Sequence, residues 1–144
     1  MIIRSISELK TFAKEVVDAF PLKEDGATIV TLDGDLGSGK TTFSQCVAAI
    51  LGVSEQVQSP TFVIMKSYEV KNDPRFNNFF HIDAYRFDHP EEAHQIRWND
   101  IVGTPKALVL VEWPEKLGEK IPAGTMRICF SFVDETTREV SIVE

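Results

Sequence analysis

The chain has 144 residues, of which 43% are hydrophobic and 26% are charged, and its formal net charge is -7. The length predicts one domain over residues 1–144 with one hydrophobic core. The acidic excess disfavours a protein that binds nucleic acid on its own, because such proteins usually present a basic surface to the phosphates. No apolar run approaches the roughly 18 residues of a membrane span, and the first five residues lack the basic start of a signal peptide. We therefore expect a cytoplasmic protein that makes no membrane contact.

Hydrophobic periodicity predicts an α/β fold with a largely parallel sheet and flanking helices. An amphipathic first helix begins near Ser5, whose spacing to Glu8 is that of a capping box, and it ends before Pro21. Strands and helices alternate after it, as in chains that build parallel sheets. Strands are predicted over residues 27–32, 61–65, 66–70, 79–82 and 107–111, helices over 40–51 and from about 90, and a C-terminal antiparallel hairpin over 126–132 and 139–143.

A glycine-rich segment between the first strand and the following helix has the composition of a phosphate-binding loop. Gly34-Asp-Leu-Gly-Ser-Gly-Lys40-Thr41 matches the pattern G-x-x-x-x-G-K-[ST] at every position. Glycines let successive backbone N–H groups point at phosphate oxygens, and the helix adds its unsatisfied N-terminal amides. Lys40 adds a charge for the β and γ phosphates, and the Thr41 hydroxyl suits Mg²⁺. The segment therefore predicts a P-loop nucleotide site, with contacts from Asp35, Leu36, Gly37, Ser38, Gly39, Lys40, Thr41 and Thr42.

Hydrolysis of a bound nucleotide also needs a carboxylate near the magnesium ion, and two predicted strands end in one. Glu112 follows the buried strand 107–111, where P-loop folds normally carry their second acidic element, although aspartate is the usual residue there. Asp83 follows the shorter strand 79–82. Both are candidate functional residues on their position in the chain.

Other classes of nucleotide-binding protein fit the sequence less well. The chain lacks the Asn-Lys-x-Asp tetrad of a GTPase, and its D-x-x-G match at 100–103 follows a predicted helix rather than a strand. It also lacks the G-x-G-x-x-G pattern of a Rossmann dinucleotide site. Two alternatives to an ATPase stay open. One is a small-molecule or nucleoside kinase, although no arginine-rich lid is evident, and the other is a nucleotide-dependent binding module with negligible turnover.

Four segments occur together in a specific order: Gly34–Thr42, Ser59-Pro-Thr-Phe62, His81-Ile-Asp-Ala-Tyr-Arg86 and Val111-Glu-Trp-Pro-Glu115. This set resembles the TsaE family, small bacterial P-loop ATPases needed to make threonylcarbamoyladenosine in tRNA, over nearly the whole chain. The resemblance implies a single P-loop ATPase domain that holds ATP and Mg²⁺ and docks on the TsaD–TsaB complex. That complex transfers the threonylcarbamoyl group, so tRNA would be reached only indirectly, and ATP hydrolysis would reset or regulate the complex.

The resemblance also implies roles for the candidate catalytic residues. Lys40 would hold the phosphates, and Thr41 and Glu112 would hold Mg²⁺. Asp83 would serve hydrolysis, either by ordering water or by supporting the metal ligands. The segment Ser59-Pro-Thr61 would form a mobile loop near the γ-phosphate.

Further residues are matched to the nucleoside and to the surroundings of the site. Thr11 in the first helix and Arg138 in the last hairpin would lie near the nucleoside, and Trp113 would face the nucleotide or the docking surface. His81, in an apolar neighbourhood, is either a structural or a functional histidine. The segment 97–105 departs from the family's pattern, which leaves the details of docking open.

Overall fold

The computed structural model describes residues 1–21, 23, 25–54 and 64–143, and within them one mixed sheet has helices on both faces. No helix in these ranges is long and apolar enough to cross a membrane. Residues 61–63 of the predicted strand 61–65 lie outside the described residues, and Met65 is the first residue of β3. The elements in chain order are β1 (Ile2–Ile3), α1 (Ile6–Ala19), β2 (Thr28–Asp33), α2 (Lys40–Ile50), β3 (Met65–Glu69), β4 (Asn78–Asp83), a 3-10 helix (Pro90–Ile96), α3 (Trp98–Val102), β5 (Ala107–Glu112), two single-turn 3-10 helices (Pro114–Lys116 and Gly118–Lys120), β6 (Met126–Asp134) and β7 (Thr137–Val143).

The helix α1 begins after Ser5, as its capping-box spacing predicts. Ser5 Oγ accepts a hydrogen bond from the Glu8 N–H at 3.1 Å, and Glu8 Oε2 accepts one from the Arg4 N–H at 2.7 Å. The helix ends at Ala19, two residues before Pro21, because a proline ring cannot continue an α-helix. Its buried side chains are Leu9, Phe12, Ala13, Val16 and Val17.

The strand order of the sheet is β1-β7-β6-β2-β5-β4-β3. The central strands β6, β2, β5 and β4 run parallel, whereas the outer pairs β1–β7, β7–β6 and β3–β4 are antiparallel. The prediction of a largely parallel sheet is therefore only partly right, and the sheet is mixed. The reason is the length of the connections, because residues 70–77 and 135–136 are too few for the crossovers that parallel neighbours need. The predicted C-terminal hairpin is present as β6 and β7.

Alternate residues of the central strands face two hydrophobic clusters on opposite sides of the sheet. On one side, Leu32 of β2 and Leu110 of β5 pack with the buried faces of α1 and α2. On the other side, Ile29 and Val109 pack with α3 and the 3-10 helix that precedes it. Burial on both faces is the reason that β2 and β5 have uninterrupted apolar sequences.

The helix predicted to start near Asp88 is a 3-10 helix followed by the short α3. Glu92 Oε2 accepts hydrogen bonds from the backbone N–H groups of Asp88 and, at 2.8 Å, of His89. Arg97 has a left-handed backbone conformation (φ 56°, ψ 48°), which separates the two helices. The segment 97–105, where the sequence departs from the resemblance, contains this junction and all of α3.

Candidate nucleotide-binding site

Two buried carboxylates lie side by side at the carboxyl edge of the parallel strands. Asp83 ends β4 and Glu112 ends β5, and the two residues are direct partners in the register of these strands. Leu32 of β2 is the partner of Glu112 on its other side, so the glycine loop after β2 starts at the same edge. Asp83 is 6% exposed and Glu112 is 3% exposed. The structure thus brings both predicted acidic residues to the predicted phosphate-binding loop.

The glycine loop joins β2 to α2 through positions that only glycine fits. Gly34 has φ +151°, and a Cβ atom there would lie 2.6 Å from both the Phe130 carbonyl oxygen and Ser38 Oγ. Gly39, just before α2, has φ +106°. Side chains are strained at these backbone angles, and the first position also has no room for a methyl group. The strand–loop–helix arrangement that the motif predicts is therefore present.

The side chain of Lys40 lies inside the site rather than in solvent. The residue is only 4% exposed, and its Nζ donates a hydrogen bond to the Gly34 carbonyl oxygen. Nζ also lies 3.9 Å from the centroid of the Trp113 ring, a cation–π contact. Burial lowers the pKa of Lys40 from its ordinary value, and the nearby Glu112 and Asp83 carboxylates partly oppose that shift. The ammonium group is thus held in a pocket that disfavours an unpaired charge.

Two aromatic residues border the carboxylates. Trp113 follows Glu112 with a left-handed backbone (φ 59°, ψ 52°), which is a strained conformation for so large a residue. Its ring lies 5.0 Å from the ring of Tyr85, and the Tyr85 N–H donates to Asp83 Oδ1 at 3.0 Å. No role for Tyr85 is predicted from the sequence. The sequence feature that could have indicated a place for Tyr85 in the site is its position two residues after Asp83.

His81 contacts the second carboxylate of the site. Its Nε2 is 2.6 Å from Glu112 Oε2, and both side chains are buried. The sequence alone is compatible with either a structural or a functional role for His81. Alternation along β4 puts His81 and Asp83 on the same face of the sheet, and this spacing is the signal for their common location.

Two cavities adjoin at the glycine loop. The first, about 430 Å³, is lined by Leu36, Gly37, Ser38, Gly39, Lys40, Thr41, Thr42, Asp83, Tyr85, Glu112, Trp113 and Arg138. The second, about 330 Å³, lies between the start of α1, the loop and the β6–β7 hairpin, and its lining is largely apolar. Both cavities share Ser38, Gly39, Thr42 and Arg138. Most of the predicted contact residues therefore line these two neighbouring cavities.

The remaining predicted residues are placed as follows. Arg138 reaches the loop from β7, where its Nε donates to the Gly37 carbonyl oxygen at 3.2 Å. Asp35 belongs to the loop but not to the lining of either cavity. Thr11 lies on the exposed side of α1 and lines neither cavity. Its hydroxyl donates a hydrogen bond to the Ser7 carbonyl oxygen at 3.2 Å. The predicted loop at 59–61 lies outside the described residues.

The donor set at the loop fits Mg²⁺ bound together with phosphate. In the ranges that the structure describes, no three His, Cys, Asp or Glu side chains are arranged to hold a metal ion. Thr41 and Glu112 nevertheless both line the first cavity and offer hard oxygen atoms. Mg²⁺ usually takes one or two protein ligands and completes its shell with substrate phosphates and water. The residues present therefore suit a nucleotide-bound magnesium ion rather than an all-protein metal cage.

The mixed sheet and the site at its edge define an α/β protein whose glycine loop matches the sequence pattern of phosphate-binding loops. The particular family follows from the sequence, because residues 3–140 match the family model described as "Threonylcarbamoyl adenosine biosynthesis protein TsaE". The chain belongs to the TsaE family, and the resemblance is confirmed. Proteins of this family take part in threonylcarbamoyladenosine biosynthesis in tRNA.

Individual relatives agree with this assignment. The chain is 34% identical to the TsaE protein of Bacillus subtilis over 134 residues, covering 93% of this chain and 78% of that one. It is 31% identical to the TsaE protein of Rickettsia bellii over 142 residues, covering 98% and 92%. The crystal structure of Bacillus subtilis YdiB superposes with a TM-score of 0.71 at 27% identity, covering 99% of this chain and 82% of that one.

Proposed function

We propose that the chain is a Mg²⁺-dependent ATPase that supports the formation of threonylcarbamoyladenosine in tRNA. The observation that carries the proposal is the convergence of the glycine loop, Lys40, Asp83 and Glu112 on one cavity. Membership of the TsaE family supplies the biological process. A cytoplasmic location is part of the same proposal.

The triphosphate would lie along the glycine loop, where backbone N–H groups and the start of α2 favour anions. Lys40 favours the same ligand, because burial makes its ammonium charge costly and the nearby Glu112 and Asp83 carboxylates offset that cost only in part. Its direct contacts are a carbonyl group and an aromatic ring, so a triphosphate would add a directly bonded charged partner. This would strengthen phosphate binding and remove the disadvantage of the buried charge at once.

The metal ion would be held by Thr41 and Glu112 with phosphate oxygens and water. Bound Mg²⁺ would supply the positive charge that offsets the triphosphate beside two buried carboxylates. Asp83 would order the attacking water or support the metal ligands, and its Oδ1 is already oriented by the Tyr85 N–H. Lys40, Asp83 and Glu112 are therefore the proposed catalytic residues.

The second cavity would hold the nucleoside. It is continuous with the loop through four shared residues, and apolar side chains such as Leu9, Phe130 and Val140 line it. A purine is flat and largely apolar, so this lining suits it. Arg138 lines both cavities, which supports its predicted nucleoside contact, whereas the contact of Thr11 stays a prediction of the resemblance alone.

The proposed partner is the TsaD–TsaB complex, with tRNA held by that complex. The net charge of -7 supports this arrangement, because an acidic chain is poorly suited to hold tRNA by itself. We expect slow turnover by the isolated protein, since Leu36 and Tyr85 on the rim of the site are 73% and 45% exposed. A partner that covers this rim would exclude water and complete the site.

The test is ATP hydrolysis by the isolated chain with and without the TsaD–TsaB complex, followed by phosphate release. We expect stimulation by the complex, and its loss in Lys40→Ala and Glu112→Ala. Lys14→Ala is the matched control, because Lys14 is an exposed α1 residue paired with Asp18 far from the loop. Absence of ATP binding to the wild type would refute the ATPase, and binding without stimulation would refute the partner.

The same assay separates the alternatives. A kinase would transfer labelled γ-phosphate to a metabolite instead of releasing it as inorganic phosphate. A binding module would keep its function in vivo in an Asp83→Asn strain that no longer hydrolyses ATP. Normal levels of the modified nucleoside in a deletion strain would refute the tRNA role.

A further inference from the structure

His81 is a fully buried histidine beside one of the two carboxylates of the site. It projects from the same face of β4 as Asp83, and its ring stacks on that of Phe79 with 6.2 Å between centroids and an interplanar angle of 10°. Its Nε2 lies 2.6 Å from Glu112 Oε2. A polar ring is thus held in the core with one polar contact directed at the candidate metal ligand.

The hydrogen-bonding capacity of the two groups assigns the tautomer. An ionised carboxylate only accepts, so Nε2 must be the donor in the His81–Glu112 pair. Nδ1 is buried and has no hydrogen-bond partner in the part of the chain that the structure describes. The contact therefore assigns Nε2–H of His81 as the donor to Glu112 Oε2.

Packing alone does not favour a histidine at this position. The strand carries phenylalanine at position 79, and an apolar side chain at position 81 would leave no buried ring nitrogen unpaired. An apolar residue would, however, leave the Glu112 carboxylate without its partner, and Glu112 is only 3% exposed. The benefit of His81 is therefore its hydrogen bond to Glu112.

That hydrogen bond restricts the orientation of the Glu112 side chain. A glutamate has three rotatable side-chain bonds, so the direction of its carboxylate is set only if one oxygen is held. His81 holds Oε2, and Glu112 lines the cavity of the glycine loop. The other carboxylate oxygen is then the one available to a ligand in that cavity.

We propose that His81 is a positioning residue that orients Glu112 for Mg²⁺ by donating its Nε2–H to Oε2. This inference rests on the proposed function and adds a residue that supports the metal site without touching the metal. Partners of metal-binding carboxylates commonly tune affinity in this way, and their removal costs about 10- to 100-fold in metal affinity.

A pair of amide variants tests the role of the Nε2 donor. The amide nitrogen of His81→Gln lies at the same number of bonds from the backbone as Nε2, whereas that of His81→Asn corresponds to Nδ1 and does not reach Glu112. Phe79→Leu is the matched core control, because Phe79 stacks on His81 and belongs to the same hydrophobic cluster as the neighbouring strands. The measurements are the Mg²⁺ concentration that half-saturates the fluorescence response to ATP, and the urea-induced unfolding of each variant.

We expect His81→Asn to weaken the apparent Mg²⁺ affinity about tenfold and His81→Gln to stay within about threefold of the wild type. Phe79→Leu should lower stability without changing the Mg²⁺ dependence. The proposal is refuted if His81→Asn leaves the apparent Mg²⁺ affinity unchanged. It is also refuted if His81→Gln and His81→Asn weaken that affinity equally. A wild type without any Mg²⁺-dependent nucleotide response would instead refute the proposed function, on which the inference rests.

A direct measurement of the tautomer needs neither metal nor turnover. The chain has three histidines, so nitrogen-15 spectra of the wild type and His81→Gln identify the His81 signals by difference. We expect the Nε2–H tautomer in the wild type and a shifted Nε2 signal in Glu112→Ala. A proton on Nδ1 in the wild type would overturn the assignment, and so would His81 nitrogen signals that stay unchanged in Glu112→Ala. Neither outcome depends on how well the amide variants fold.

Discussion

Asp83 and Glu112 are register partners on adjacent parallel strands, and both are almost completely buried. Their carboxylates stand beside Lys40, whose charge they both favour. Two negative groups at a phosphate site oppose the binding of a metal-free nucleotide, because like charges in a partly desolvated space repel. This repulsion is a physical reason for the magnesium dependence that we propose.

We expect Asp83→Asn to strengthen ATP binding in EDTA while it lowers hydrolysis. Removal of one charge near the phosphates is worth about 1 kcal/mol, or about fivefold in affinity. Loss of a group that orders the attacking water lowers turnover by about 100-fold. Fluorescence titration and phosphate release measure the two effects. Asp100→Asn, which alters an exposed carboxylate on α3, should change neither, and a fall in both affinity and turnover would contradict the charge argument.

Trp113 should report nucleotide binding. Its ring holds the Lys40 ammonium group at 3.9 Å, so transfer of that group to a phosphate changes the surroundings of the indole. We expect Mg-ATP to change the tryptophan fluorescence of the wild type and of Trp98→Phe, but not of Trp113→Phe. Trp98 is the matched control, because it is buried away from the loop and its ring N–H donates to the Lys120 carbonyl oxygen at 3.0 Å. A fluorescence response to Mg-ATP that is lost in Trp98→Phe and kept in Trp113→Phe would contradict this geometry.

Gly34→Ala should damage the fold as well as the site. The added methyl group would lie 2.6 Å from the Phe130 carbonyl oxygen, and the backbone at φ +151° is unfavourable for alanine. We expect the free energy of unfolding to fall by about 2 kcal/mol or more, together with loss of ATP binding. Urea denaturation measures the first effect. Gly103→Ala should be tolerated, because its Cβ would meet only ordinary contacts at 3.5 Å or more.

The ion pair between Asp73 and Arg75 should make stability depend on pH. Arg75 donates to Asp73 Oδ2 at 2.7 Å and to the carbonyl oxygens of Phe20 and Val17 at 2.9 and 2.8 Å, so the pair closes the end of α1. The hydrogen bond from Arg75 lowers the pKa of Asp73 below its ordinary value of 3.8. The stabilisation is therefore fully present above about pH 4 and is lost as the pH falls through the lower, folded-state pKa.

Asp73→Asn tests this pH dependence. We expect it to cost about 1 kcal/mol at pH 7, since it replaces a charge-assisted hydrogen bond by a neutral one, and to cost progressively less as the pH falls below 3.8. Urea denaturation across pH 2–7 measures the difference. The control is Asp100→Asn, an exposed partner of Arg97, for which a difference near zero is expected. A loss of unfolding free energy in Asp73→Asn that grows as the pH falls would contradict the prediction.

The parts of the fold that depend on local sequence could be predicted. The bounds of α1 follow from Ser5, from Pro21 and from the spacing of its apolar residues. The glycine loop is recognisable from its own residues, because glycines stand where the backbone angles require them. The ends of β4 and β5 could be located because continuous apolar runs stop at a carboxylate. The antiparallel hairpin of β6 and β7 was predicted, whereas the antiparallel pairing of β1 with β7 was not, because it joins segments from opposite ends of the chain that no local pattern relates.

The contacts within the site could not be predicted, because they depend on register between distant strands. The pairing of β4 with β5 is what puts His81 beside Glu112, and neither residue carries a local sign of the other. The contact of Lys40 with Trp113 depends in the same way on the left-handed turn after β5. Part of this arrangement was predictable, because residues two apart on one strand, such as His81 and Asp83, lie on the same face of the sheet.

The hydrogen bond from Arg138 to the Gly37 carbonyl oxygen closes a contact across 101 positions of the chain. Closing so long a loop costs conformational entropy that folding must recover, so these two segments lie together only in the folded chain. The unfolded chain therefore has no complete pocket and would not bind ATP there. Nucleotide would then stabilise the native state alone, by an amount that grows with the logarithm of its concentration, and the measured binding capacity of a preparation would count its correctly folded molecules.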